Sequence, residues 1–264
     1  MQEGSDLIQL AATGNVAAQL GLVDHAIAAG AAGTCRKIEA LAAAETWARL
    51  AAACGGADEN RALVGVLLAR AEFEVGRCSV YNAQWYEGEA RRVLKHLVSF
   101  DDEDAKQALE ELGEPPEGEH HAPDVLVFKN LSAAAKGDLT ALASLCDEAF
   151  RLLQIGGSDP IEALTAGELY ARLGSVSGDA DQMRRLAGIL LKRAEYEYGE
   201  GWAALADNAV AEAAVLLSIL VDTGTESMAA WLSLLVNDSR MPAIASAVRH
   251  RPTILKFIEP RGNC

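Results

Sequence analysis

Aromatic residues make up only 5% of this 264-residue chain, and none of its 7 prolines precedes Pro115. β-Branched residues are also sparse, whereas alanine, the best helix former, occurs 50 times. That balance excludes an all-β fold and argues against a sheet-based one. Half of the residues are apolar, which excludes a disordered chain and allows a sizeable core. Basic residues are in the minority, 23 Lys and Arg against 38 Asp and Glu. The formal net charge of −15 argues against a protein that holds a phosphate backbone, so no direct nucleic-acid binding is expected.

Several motifs are missing. There is no C-x-x-C, and the five cysteines (Cys35, Cys54, Cys78, Cys146 and Cys264) are odd in number and widely spaced. Free thiols in a reducing cytoplasm suit that pattern. Met1–Asp6 has no basic n-region, so no secretory signal is expected. The longest apolar stretch, Ala209–Val221, is interrupted by Glu212 and is too short to span a bilayer, so no membrane partner is expected. H-E-x-x-H, G-x-S-x-G, a phosphate-binding loop and a dinucleotide fingerprint are all absent. His120-His121, between Glu117 and Glu119, lacks the spacing of a defined metal site. A non-enzymatic protein with no cofactor and no metal is therefore expected.

What the chain does have is an internal repeat. At an offset of 123 residues its halves align without a gap, and 19 of the 36 positions in Leu41–Gly76 are identical in Leu164–Gly199. The densest run is Leu67-Leu68-Ala69-Arg70-Ala71-Glu72-Phe73-Glu74, matched by Leu190-Leu191-Lys192-Arg193-Ala194-Glu195-Tyr196-Glu197. A tandem duplication covering nearly the whole chain is the natural reading. Within each copy, polar turns fall between stretches of helical apolar spacing: Thr13-Gly14-Asn15, Gly55–Asp58 and Ser99–Asp102, then Lys136-Gly137-Asp138, Gly178-Asp179 and Asp222–Thr225. Glycine suits the end of one helix and Asp, Asn or Thr the start of the next. Three αα-hairpins per copy follow, six in all.

The expected organisation is a first copy over 1–113, a Pro/Glu/His linker over 114–123, a second copy over 124–239, and a C-terminal capping helix and tail over 240–264. Glu168-Leu169-Tyr170-Ala171-Arg172-Leu173-Gly174 followed by Gly178-Asp179 resembles the tetratricopeptide and Sel1-like helical-repeat families. The resemblance implies an all-α, right-handed α-solenoid that binds proteins or peptides, and it transfers no catalytic residue.

Two stripes on one helix recur in both copies. Leu63, Val66, Leu67, Arg70, Ala71 and Glu74 share a face, as do Leu186, Ile189, Leu190, Arg193, Ala194 and Glu197. The Arg and Glu at i,i+4 on this core-facing stripe are expected to form a partly buried ion pair. The second stripe is Arg61, Gly65, Leu68 and Glu72, repeated as Arg184, Gly188, Leu191 and Glu195. Glycine in a helix interior costs about 1 kcal/mol against alanine, so its retention predicts close approach of another backbone. Such a helix is either sandwiched between neighbours or lines a binding groove. Aromatic clusters follow it, Tyr81, Trp85 and Tyr86 in one copy and Tyr196, Tyr198 and Trp202 in the other. Tyr and Trp beside a polar loop suit interface anchors. The candidate partner-binding set is thus Arg61, Glu72, Tyr81, Trp85, Arg184, Glu195, Tyr198 and Trp202.

The leading expectation is a scaffold or adaptor for a protein or peptide. A basic partner would suit the acidic stretch Asp101–Glu119, and a homo-oligomer would pair that stretch with the basic tail. Two alternatives stand beside it: an acidic decoy that mimics nucleic acid or occupies a basic site, and a helical-toroid enzyme with carboxylates from both copies.

Overall fold

The computed structural model describes residues 2–113, 125–156 and 159–222. Among these residues there are eleven α-helices and no strand, as the composition requires. The helices are α1 Gln2–Ala12, α2 Val16–Ala31, α3 Lys37–Ala52, α4 Ala57–Gly76, α5 Val80–Val98, α6 Glu103–Glu111, α7 Val125–Ala134, α8 Leu139–Ile155, α9 Pro160–Ser175, α10 Ala180–Gly199 and α11 Ala203–Asp222. Each of α1 to α5 begins 123 residues before its counterpart among α7 to α11, so the sequence repeat is also a repeat of helix starts.

Local chemistry sets those starts. Asn15, Asp102, Asp138 and Asp179 accept hydrogen bonds from the backbone N–H groups of Ala18, Ala105, Ala141 and Gln182, at 2.9, 3.0, 2.8 and 3.0 Å. Each thereby satisfies a donor left open at a helix start. Asp159 does the same for Ile161, and Pro160 then occupies the first turn, where its missing N–H matters least.

The chain forms two compact units, Met1–Leu145 and Cys146–Cys264. In the first, α1 to α6 pack consecutively, and Trp47, Leu50, Leu63, Leu67, Leu94 and Leu97 are buried between α3, α4 and α5. In the second, α9, α10 and α11 pack consecutively around Leu164, Leu173, Ile189, Leu190 and Leu217.

Two contacts in the first unit go beyond consecutive stacking. Helix α7 packs on α3. The turns at Gly14 and Gly137, equivalent in the repeat, also lie against each other. A Cβ at Gly14 would stand 3.1 Å from the Ala135 oxygen, and a Cβ at Gly137 would stand 2.5 Å from the Ala12 oxygen. Both glycines have positive φ, +81° and +84°, which suits residues without a Cβ. Gln19, fully buried, donates to the Ala135 oxygen at 3.0 Å and ties the two turns together. The packing units therefore divide inside α8, whereas the sequence reading expects a division at 114–123. The expected linker, with His120-His121, lies outside the described residues, as do the expected turn at 223–225 and the expected cap and tail over 240–264.

Among the described residues one segment, Ala203–Val221, is long and apolar enough to cross a membrane, with a mean hydropathy of 1.8. This corrects the expectation, drawn from Ala209–Val221 alone, that the apolar stretch is too short. Packing explains part of that character, since Ala206, Val210, Ala213, Leu217 and Leu220 are buried, whereas Leu205, Val215 and Ile219 are exposed; Glu212 pairs with Arg172.

Candidate functional site

The core-facing stripe of α4 is buried throughout, with Arg70 1% and Glu74 2% exposed. Arg70 reaches Glu45 of α3 at 3.3 Å, donates to the Tyr86 hydroxyl of α5, and stacks 4.7 Å from that ring's centre. Beside it Arg49 clamps two helices. It donates to Glu45 of its own helix at 2.8 and 2.9 Å, and its two terminal nitrogens grip both oxygens of Glu89 on α5 at 2.5 and 2.6 Å.

The second unit repeats this arrangement. Arg172 bonds Glu168 at 2.8 Å and Glu212 at 2.7 Å, while Arg193 bonds Glu168 at 2.7 Å and Glu197 at 3.0 Å. Burial alone would lower the Arg49 and Arg172 pKa values, but the carboxylates around them more than reverse this and hold both guanidiniums charged. Burial pushes the Glu168 carboxyl above its ordinary range, against the pull of Arg172. Fork-to-fork pairs of this kind fix geometry as well as charge. Glu45, Arg49 and Glu89 are not singled out by the sequence reading. Their signal is that all three recur 123 residues later as Glu168, Arg172 and Glu212.

In α4 the second stripe faces outward, with Leu68 half-buried, whereas in α10 its Leu191 is buried and Gly188 half-buried. Arg61 is exposed and pairs with Asp58 at 2.7 Å and with Asp102 at 2.6 Å; Glu72 is exposed. Arg184 is half-buried and pairs with Asp181, and exposed Glu195 pairs with Lys192 at 2.9 Å. The glycine expectation needs correction. Among the described residues, a Cβ at Gly65 or Gly188 would meet nothing within 4 Å, so no described neighbouring backbone approaches either position. Helix α4 exposes this face because its opposite face is the one buried in the core, while α10 exposes only Glu195 of the four and packs Leu191 inward.

The aromatic groups divide. Trp85 and Tyr86 meet edge to face at 4.9 Å, and Tyr86 is buried against Arg70, whereas Tyr81 stands 77% exposed. In the second unit Tyr196 and Trp202 meet at 6.1 Å, and Trp202 is 37% exposed. Tyr198 donates its hydroxyl to Asp207; burial, reinforced by that carboxylate, raises its pKa. Part of the acidic stretch has a local role as well: Asp102 caps α6, and Glu103 pairs with Lys106 at 3.6 Å. Among the described residues no group of three or more His, Cys, Asp and Glu side chains is placed to hold a metal ion.

No protein-family model, curated protein or solved structure matches the chain significantly.

Proposed function

We propose that the chain is a tandem duplication of a three-hairpin unit, and that it acts as a non-enzymatic helical-repeat scaffold for a protein or peptide. Consecutive helix packing and the recurrence of helix starts favour a right-handed α-solenoid of the tetratricopeptide or Sel1-like kind. The observation that carries the binding role is the recurring stripe of α4 and α10, exposed at Arg61, Gly65, Glu72 and Glu195. Arg61, Gly65, Leu68 and Glu72 recur as Arg184, Gly188, Leu191 and Glu195, although the packing of the described residues makes no demand on the two glycines. A glycine kept twice at an open helix position fits a face on which a partner backbone lies. Free thiols at Cys35, Cys54, Cys78 and Cys146 suit a cytoplasmic setting.

The test is capture of partners from native cell extract at low and high salt, beside a G65Q/G188Q variant. Both added side chains enter open space, so the variant is expected to fold. A protein retained at high salt by the wild type and lost by the folded variant supports the scaffold. A partner lost only with rising salt, and equally in both proteins, favours an acidic decoy. Undiminished capture by the variant overturns the role given to this face.

A further inference from the structure

A cavity of about 410 Å³ opens in the first unit between α3, α4, α5 and α7. That volume falls within the roughly 300–1,000 Å³ of small-ligand sites. Its wall is largely apolar and includes Ala53, Leu63, Val93 and Leu131. The charges around it cancel. Arg49 and Arg92 on the wall stand against Glu89 and against Glu45, which Arg49 also holds. A balanced, mostly apolar wall suits a neutral ligand better than an ion.

Asn60 of α4 gives that wall a polar handle. The residue is only 9% exposed. Its Nδ2 donates to the Gly56 oxygen at 2.7 Å, which fixes the amide with Oδ1 on the other side. Among the described residues nothing donates to that oxygen, and it is not sealed from solvent. Asn60 lines both this cavity and an adjoining one of about 380 Å³, so it stands where the two meet. A nearly buried acceptor left open at a cavity wall is a place for a ligand's donor.

The internal repeat separates what this cavity needs from what the fold needs. At the equivalent positions of the second unit, Ala53, Asn60 and Val93 become Val176, Met183 and Leu216. Helices α9, α10 and α11 pack consecutively, as α3, α4 and α5 do, with those larger or apolar residues in place. The space beside Ala53 and Val93 and the acceptor on Asn60 are therefore not demands of the helical framework.

We propose that this cavity binds a neutral hydrophobic alcohol or phenol. Its hydroxyl donates to Asn60 Oδ1, and its apolar body lies along Leu63, Val93 and Leu131. The assignment does not depend on the protein partner proposed above.

Titration calorimetry tests it, with 2-naphthol as probe and 2-methoxynaphthalene as the counterpart that lacks a donor. The wild-type chain is expected to bind one 2-naphthol, about fivefold more tightly than the ether. Two variants carry residues that the second unit already uses. N60M should bring 2-naphthol down to the affinity of the ether. A53V/V93L should weaken both compounds by about tenfold or more, because it fills the space they occupy. Far-UV circular dichroism and the melting temperature check that each variant folds. Should A53V/V93L fail to fold, A53V alone carries the same comparison. No 2-naphthol binding, equal binding of the ether by the wild type, an undiminished preference for 2-naphthol in folded N60M, or undiminished binding by the folded cavity-filling variant would each overturn the proposal.

Discussion

Arg49 on α3 and Glu89 on α5 are joined through both guanidinium ends and both carboxylate oxygens, across the helix that separates them in sequence. Glu89 is only 6% exposed in this pair, whereas its counterpart Glu212 is 40% exposed. Removing one partner of a buried pair strands the other, at about 3–5 kcal/mol. R49M is therefore expected to destabilise the first unit by that order, and R172M to cost the second unit clearly less. R49M/E89L should recover part of the loss, because no charge of that pair is left stranded. Urea unfolding of the three variants checks this; equal losses for R49M and R172M would contradict it.

The glycines offer a contrast within one residue type. Gly65→Ala enters open space in a helix interior and is expected to stabilise the chain by up to about 1 kcal/mol. Gly137→Ala meets the Ala12 oxygen at 2.5 Å from a positive-φ backbone and should destabilise strongly. Gly167→Ala falls between them, since its Cβ would lie 3.0 Å from the Ile189 side chain, which can shift. Melting temperatures in that order support the packing described.

Removing the acceptor under Arg70 tests the α4–α5 contact. Tyr86→Phe keeps the ring and its stacking but takes away the hydroxyl that Arg70 donates to. A hydrogen bond to a charged group contributes about 1.5–3 kcal/mol, and a loss of that order is expected in equilibrium unfolding. An unchanged stability would show that the ring alone matters.

Burial pushes the Cys146 thiol up to about 12, with Asp147 adding to the shift and Arg185 opposing it. Its folded pKa lies above the unfolded value of about 8.5. The stability linked to this group is therefore whole below pH 8.5 and is lost as pH rises towards 12. C146A should lose less stability than the wild type over that window. Cys146 should also resist a thiol reagent in the folded protein, while exposed Cys78 reacts. Rapid labelling of Cys146 at neutral pH would contradict its burial.

Much of this arrangement is legible in the sequence. Alanine content and apolar spacing give the helices, and Asn15, Asp102, Asp138 and Asp179 mark starts that the structure places at the same residues. The buried Arg70 and Glu74 stripe follows from its period. Two features are not legible, for physical reasons. Gly65 and Gly188 look like contact glycines, because a sequence does not distinguish a close neighbour in the chain from open space. The α7–α3 contact joins segments far apart in sequence, and no local propensity encodes such a meeting.

That contact bears on synthesis. A chain whose first 113 residues have left the ribosome contains every helix of the first sequence copy, yet α3 still lacks α7, and Gln19 still lacks the Ala135 oxygen. Only when about 25 further residues have emerged, through Asp138, can the two glycine turns meet. The first unit therefore completes with residues that follow position 123, where the sequence repeat starts again. A stop codon placed at the apparent boundary between copies would release a fragment with one face left unfinished.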